Sequence, residues 1–162
     1  IAAVASSKEN LEWFKKTMTI QTIGYDKLNQ LRNVRYFKDI DGMKSNMKKN
    51  AAIMRPSFEV VLAVLDRELT GLEFGSWVKP NGGYFISFDA LPGCAKEIVS
   101  KCKEAGVTLT GAGATYPYKK DPNDSNIRLA PTFPTPEELA VAADLFVLCV
   151  KLVSVDKLLA EK

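Results

Sequence analysis

Apolar residues recur at threes and fours through the first part of the chain, and the pattern changes at Gly71 to short alternating runs. Ile1 to Ala5 is a short apolar run that reads as a buried strand. Ser6 and Glu9 have the Ser-x-x-Glu spacing of a capping box and open a helix through Leu11, Trp13, Phe14 and Met18. Gly24 punctuates the segment, and a second helix follows with Leu28, Leu31 and Val34 at helical spacing. From Gly42 to Leu69, Met43, Met47, Met54, Phe58, Leu62, Leu65 and Leu69 make one apolar seam, with Ala51 in the small gap. That is roughly 40 Å of helix at 1.5 Å per residue. Pro56 lies inside it and is expected to kink the rod rather than end it, because the seam keeps phase on both sides.

Beyond Gly71 the reading is a short strand at Phe74 to Val78, then turn chemistry in Lys79-Pro80-Asn81-Gly82-Gly83. Tyr84, Ile86 and Phe88 alternate with Phe85, Ser87 and Asp89 as in a strand. Pro92-Gly93 precedes a helix with Ala95, Ile98, Val99 and Cys102 on one face, closed by Gly106 as a left-handed cap. Val107 to Thr110 reads as a strand, Gly111 to Ser125 as a loop, and Ile127 to Ala130 as another strand ended by Pro131 to Pro134. Thr135-Pro136-Glu137-Glu138 combines an N-cap, Pro at the first helical position and a capping-box glutamate. The helix it opens carries Leu139, Ala142, Phe146, Cys149, Val150 and Val153, with a last turn or two from Ser154. The order strand, strand, helix, strand, strand, helix predicts an α/β fold of the α+β sandwich kind. Its helices lie on one face of a small sheet, behind a long kinked connector helix.

Composition narrows the chemistry. The 162 residues are 46% apolar and 25% charged, with a net charge of +3, ordinary for a soluble globular protein. The densest basic stretch, Lys44 to Arg55, is interleaved with Met47, Ile53 and Met54 and reads as a solvated helix face rather than a nucleic-acid stripe. No apolar segment approaches the ~20 residues of a membrane span. The three cysteines, Cys94, Cys102 and Cys149, are widely spaced without a C-x-x-C pair. They read as buried thiols of a reducing compartment, hence a cytoplasmic protein. The absence of histidine removes Ser-His-Asp and Cys-His nucleophile systems and the usual zinc sites, so no metal is expected. The chain opens at Ile1 within a strand-like run, which leads to the expectation of a missing N-terminal portion.

One residue stands out. In Asn126-Ile127-Arg128-Leu129-Ala130, Ile127 and Leu129 should meet the helices, and Arg128 should face the side that no helix covers. Position alone leaves two readings open: an exposed arginine in a surface ion pair, or a guanidinium held by a strand to grip a carboxylate with two parallel hydrogen bonds. The string Asn-Ile-Arg-Leu-Ala-Pro-Thr-Phe-Pro resembles the segment of fold-type-I, pyridoxal-phosphate-dependent aminotransferases in which a near-terminal arginine binds the substrate's α-carboxylate. Trp-Val-Lys-Pro-Asn-Gly-Gly-Tyr-Phe-Ile-Ser-Phe-Asp is similar to their small-domain segment, where a Gly-Gly-aromatic step precedes a strand. With the long helix, the resemblance covers essentially the whole chain, and within the superfamily it is greatest to a bacterial aspartate-aminotransferase-like branch.

The resemblance implies that residues 1–41 are a remnant of the large cofactor-binding domain, 42–70 the interdomain connector helix and 71–162 the C-terminal small domain. It implies an enzyme passing an amino group between an amino acid, with aspartate a candidate, and a 2-oxo acid on pyridoxal 5'-phosphate, acting as a homodimer. Arg128 becomes the substrate-binding residue. Gly113 and Tyr116 belong to a loop at the active-site mouth, and Lys27 and Arg32 to a stretch that can reach the partner's site. The Schiff-base lysine is expected upstream of Ile1, so the chain holds no catalytic residue, is expected to be inactive alone and is not expected to bind the cofactor. Ser6-Ser7-Lys8 mimics the lysine's context only superficially, since Lys8 falls in the first turn of a capped helix. The competing interpretation is a free-standing α/β ligand-binding or oligomerisation module without catalysis.

Overall fold

The computed structural model describes residues 2–161. Its elements are α1 (Lys8–Gln21), α2 (Lys27–Phe37), α3 (Ile40–Leu69), β1 (Gly75–Trp77), β2 (Ile86–Ala90), α4 (Ala95–Glu104), a 3-10 turn at Pro117–Lys119, β3 (Asn126–Leu129) and α5 (Pro136–Ala160). The chain divides into two compact units, Ile1–Asn50 and Ala51–Lys162, with the boundary inside α3.

In the first unit, side-chain caps start the helices. Ser7 Oγ accepts from the Asn10 N–H at 3.3 Å, and Asp26 Oδ1 from the Asn29 N–H at 2.9 Å. The cap of α1 is therefore Ser7 rather than Ser6, whose hydroxyl meets the Asn10 side chain instead. Asp39 Oδ1 accepts the Gly42 N–H at 2.8 Å at the head of α3. Gly42 is needed there because a Cβ would lie 1.9 Å from the Phe37 carbonyl oxygen. The strand expected at Ile1 to Ala5 is not formed over residues 2–5, which are exposed and outside any ladder; Ile1 itself lies outside the described residues. No described residue of this unit is buried.

The second unit has a core. Its sheet has the order β1-β2-β3, antiparallel throughout, with Trp77 opposite Phe88 and Phe88 opposite Ile127. Ile86, Phe88 and Ala90 on β2 and Ile127 and Leu129 on β3 point into the core. Val61, Val64, Leu65 and Leu69 of α3 and Phe146, Val150 and Val153 of α5 complete it. Phe88 stacks on Trp77 with centroids 6.3 Å apart and meets Phe146 edge-on at 5.1 Å, geometries that aromatic pairs favour. Along α3 the buried stripe is Ser57, Val61, Val64, Leu65 and Leu69. The expected seam is buried only at its end, and Met43, Met47 and Ala51 are exposed. Pro56 lies inside α3, where it removes one backbone donor.

Four further expectations shift. Val107 to Thr110 is not a strand: the Val107 N–H bonds the Cys102 carbonyl at 2.8 Å, closing α4 behind Gly106 (φ +96°), so the segment begins as a helix cap and finds no ladder. The strand expected from Tyr84 starts at Ile86, and the one expected to reach Ala130 runs from Asn126 to Leu129. The turn expected after Ser154 is a continuation of α5. The capping box at its head is complete, with Thr135 Oγ1 accepting from the Glu138 N–H at 3.3 Å and Glu138 Oε2 from the Thr135 N–H at 2.9 Å. All three cysteines are free and buried; burial, with Cys149 beside it, pushes the Cys102 thiol up to about 12.

Candidate functional site

Strand parity aims Arg128 away from the core. Its neighbours Ile127 and Leu129 are buried, while Arg128 is half-buried and sits opposite Ser87 on the β2 partner. Residues two apart share a face, so Ser87 and Asp89 lie on Arg128's side of the sheet, just past Phe85. The Phe85 ring lies against the guanidinium, with Arg128 Cζ 4.3 Å from its centroid. Arg128 Nε is buried and has no acceptor among the described residues. No carboxylate among those residues comes within ion-pair distance of Arg128, so the surface ion pair, one of the two readings of this position, is not formed. A planar cation with an unused buried donor is suited to an acceptor with two parallel oxygens.

Asn126 organises the rest of this face. It is buried at 6% exposure, and its Nδ2 donates to Ser87 Oγ at 3.0 Å and to Asp89 Oδ1 at 2.8 Å. Its Oδ1 accepts from Thr115 Oγ1 at 2.6 Å, and its carbonyl accepts from the Gly113 N–H at 3.0 Å. Asn126 thereby ties the loop after residue 110 to the strand that carries Arg128. Gly113 is buried at φ +72°, and a Cβ there would come within 3.2 Å of the Lys119 carbonyl oxygen and of Asp121 Cβ. Tyr116 follows on a turn closed by its N–H on the Gly113 carbonyl at 2.9 Å, with its ring at the solvent boundary. Asp121 fastens the other end, accepting the N–H groups of Asn123, Ser125 and Asn126 at 2.8 to 2.9 Å. Desolvation opposes its ionisation, but these backbone donors prevail and hold its carboxyl below the usual range.

The remaining expected residues lie elsewhere. Lys27 opens α2 and Arg32 is one turn further on, both exposed; Arg32, Asn33, Arg35 and Tyr36 line an open depression of the first unit. Lys8 is the exposed first residue of α1. A cavity of about 120 Å³ occurs on the core side of β3, walled by Val61, Leu109, Leu129, Pro131 and Phe146. Its lining has no titratable group, so the polar chemistry of this unit is on the opposite face. Phe85, Asn126, Asp121 and Thr115 were not singled out in the sequence. The alternation through Phe85, Ser87 and Asp89 held a signal for the first, and the Asp-Pro-Asn-Asp turn chemistry held one for Asp121.

The fold is that of the C-terminal part of aminotransferases. The α-aminoadipate aminotransferase of Thermus thermophilus superposes on 91% of this chain and 37% of its own, with a TM-score of 0.70 at 18% identity. The chain belongs to the aspartate amino-transferase family, whose profile matches residues 1–162. An aspartate aminotransferase of Corynebacterium glutamicum is 44% identical over 151 residues, covering 93% of this chain and 35% of that protein. The crystal structure of an aspartate transaminase from the same organism covers 94% of this chain and 36% of its own, with a TM-score of 0.84 and 44% identity. A provisionally named aminotransferase of Mycolicibacterium smegmatis is 40% identical over all 162 residues, which span 38% of its length. The chain thus spans between a third and two fifths of these relatives. Among the described residues no helix is long and apolar enough to cross a membrane.

Proposed function

We propose that this chain is the substrate-carboxylate-binding part of a pyridoxal-phosphate-dependent aminotransferase that passes an amino group between an amino acid, aspartate being the candidate, and a 2-oxo acid. In this reading residues 1–41 belong to the large domain, 42–70 are the connector helix and 71–162 the small domain. Arg128 grips the substrate's α-carboxylate through a two-point contact. The observation that carries this is the Arg128 guanidinium itself, anchored in β3 and turned from the core, with a buried Nε that has no acceptor. Support comes from the whole-chain family match and from the aspartate aminotransferase relative.

Among the described residues none forms a site for the cofactor's covalent bond. No described lysine is buried, and Lys8, the one with a serine-rich context, is exposed at a helix start, whereas a Schiff-base lysine is activated by desolvation or by a neighbouring cation. In this reading the Schiff-base lysine and the cofactor belong to the remaining length of the parent, and the chain alone is expected neither to bind the cofactor nor to turn over substrate. The loop of Gly113 and Tyr116 borders the mouth of the site, and Lys27 and Arg32 serve the partner subunit of a cytoplasmic homodimer. Two distant structural relatives support the cofactor assignment. The Thermus thermophilus enzyme holds N-(5'-phosphopyridoxyl)-L-leucine, and a Pyrococcus horikoshii kynurenine aminotransferase holds PMP.

The test is Arg128→Lys in the full-length parent. Lysine keeps the charge but loses the fork, so kcat/KM should fall by about a hundredfold or more with the circular dichroism spectrum unchanged. Wild-type kinetics in this variant would remove Arg128 from the site.

A further inference from the structure

We infer that Phe85 is the positioning residue for this carboxylate grip, holding the Arg128 guanidinium in place without occupying any of its donors; the inference rests on the carboxylate-binding role proposed for Arg128. An arginine side chain is long and loses much rotamer freedom when it is ordered. A binding site built on it works best if that ordering precedes the ligand. Two kinds of neighbour can do this. A carboxylate would fix the guanidinium by taking up its N–H groups and cancelling its charge, which are the two properties the substrate needs. An aromatic ring fixes it through the π-face and leaves the edge donors free.

The structure takes the second course, and the register explains how. Arg128 faces Ser87 across the ladder, and Phe85, two residues before Ser87 and just ahead of β2, comes to lie beside it. The ring lies 4.3 Å from Arg128 Cζ, well inside the range of a cation–π contact. The acid on this face of β2, Asp89, could have competed for the guanidinium. Its Oδ1 is bonded instead by Asn126 Nδ2 at 2.8 Å, and Asn126 is the residue opposite it in the ladder. Phe85 thus steers the cation while Asn126 occupies the nearby anion, and the fork remains available to a carboxylate from outside.

The experiment uses the full-length holoenzyme and two readouts. One is the calorimetric Kd for succinate, a dicarboxylate with no amino group to transfer. The other is the division of any kinetic loss between KM and kcat for the amino-acid substrate. Phe85→Leu, which keeps apolar bulk and removes the π-face, should raise both the succinate Kd and KM by roughly three- to thirtyfold and leave kcat within about twofold. Phe85→Tyr should restore both. Arg128→Lys, measured in parallel, should weaken succinate binding at least as much. If Arg128→Lys weakens succinate and Phe85→Leu does not, the positioning role is overturned and the carboxylate grip stands. If Arg128→Lys leaves the succinate Kd unchanged, the grip itself fails and takes this inference with it. A fall in kcat at constant KM in Phe85→Leu, or a failure of tyrosine to rescue, also overturns the role. Phe85→Met provides the same comparison should leucine disturb folding.

Discussion

Replacing Asp121 by asparagine is nearly isosteric, yet it removes the charge to which the loop amides of Asn123, Ser125 and Asn126 point. Charge-assisted bonds of this kind are roughly twice as strong as neutral ones. The Ser125 and Asn126 amides should exchange with solvent about tenfold faster in Asp121→Asn, while amides of the α5 interior remain unaffected. Equal protection in variant and wild type would mean that the loop is held by Gly113 and Thr115 alone. At this scale the sequence was informative about Arg128 and silent about its neighbours, for a definite reason. The outward aim of Arg128 follows from two apolar flanks within one strand. The contact with Phe85 depends on which β2 residue lies opposite, and a strand's own periodicity does not set its register. Asp121 was hidden differently: the carboxylate that organises a loop through backbone bonds is written in the same residues as any polar turn.

Two ion pairs join α3 to α5: Glu68 to Lys151 at 2.6 Å and Arg67 to Asp144 at 2.6 Å, with Arg67 also on Glu68 at 2.8 Å. The Lys151 ammonium, and after it the Arg67 guanidinium, draw the Glu68 carboxyl from 4.5 down to about 2. A group whose pKa is depressed on folding contributes its stability above the unfolded value and loses it as the pH falls through the folded one. The clamp should therefore be intact above pH 4.5 and fade towards pH 2. The contribution is small because the pair faces solvent. In paired thermal melts, Glu68→Gln should be less stable than wild type at pH 6, with the gap closing as the pH is lowered towards 2. A gap independent of pH would show that packing, not charge, sets the difference. Elements with their own local signals, α2, α4 and the complete capping box of α5, were legible from sequence to within a few residues. The strands assigned to residues 1–5, of which 2–5 are described, and to 107–110 were not, because apolar composition marks a segment that can pair and leaves open what it pairs with. At Val107 the competing demand was local: the carbonyl ends of α4 needed a donor, and its N–H served as one.

For the molecule as a whole, the two units differ in kind. Among the described residues every buried one falls in unit Ala51–Lys162, whereas the unit ending at Asn50 exposes Trp13, Ile20, Ile23 and Leu28 without burying any described side chain. Exposed apolar side chains in such number favour association. In sedimentation velocity the chain should self-associate with rising concentration, and a single monomeric boundary across the range would count against it. The apolar period announced these helices, but it could not announce whether anything in the chain would cover them. The same contrast fixes how large the protein should look to a calorimeter. Heat capacity on unfolding scales with the apolar surface that becomes wet, and typically amounts to ~12–15 cal/mol/K per residue. A unit already wet in the native state adds little to that sum. The 162-residue chain should accordingly unfold with a ΔCp near ~1.5 kcal/mol/K, the signature of a protein of roughly 110 residues.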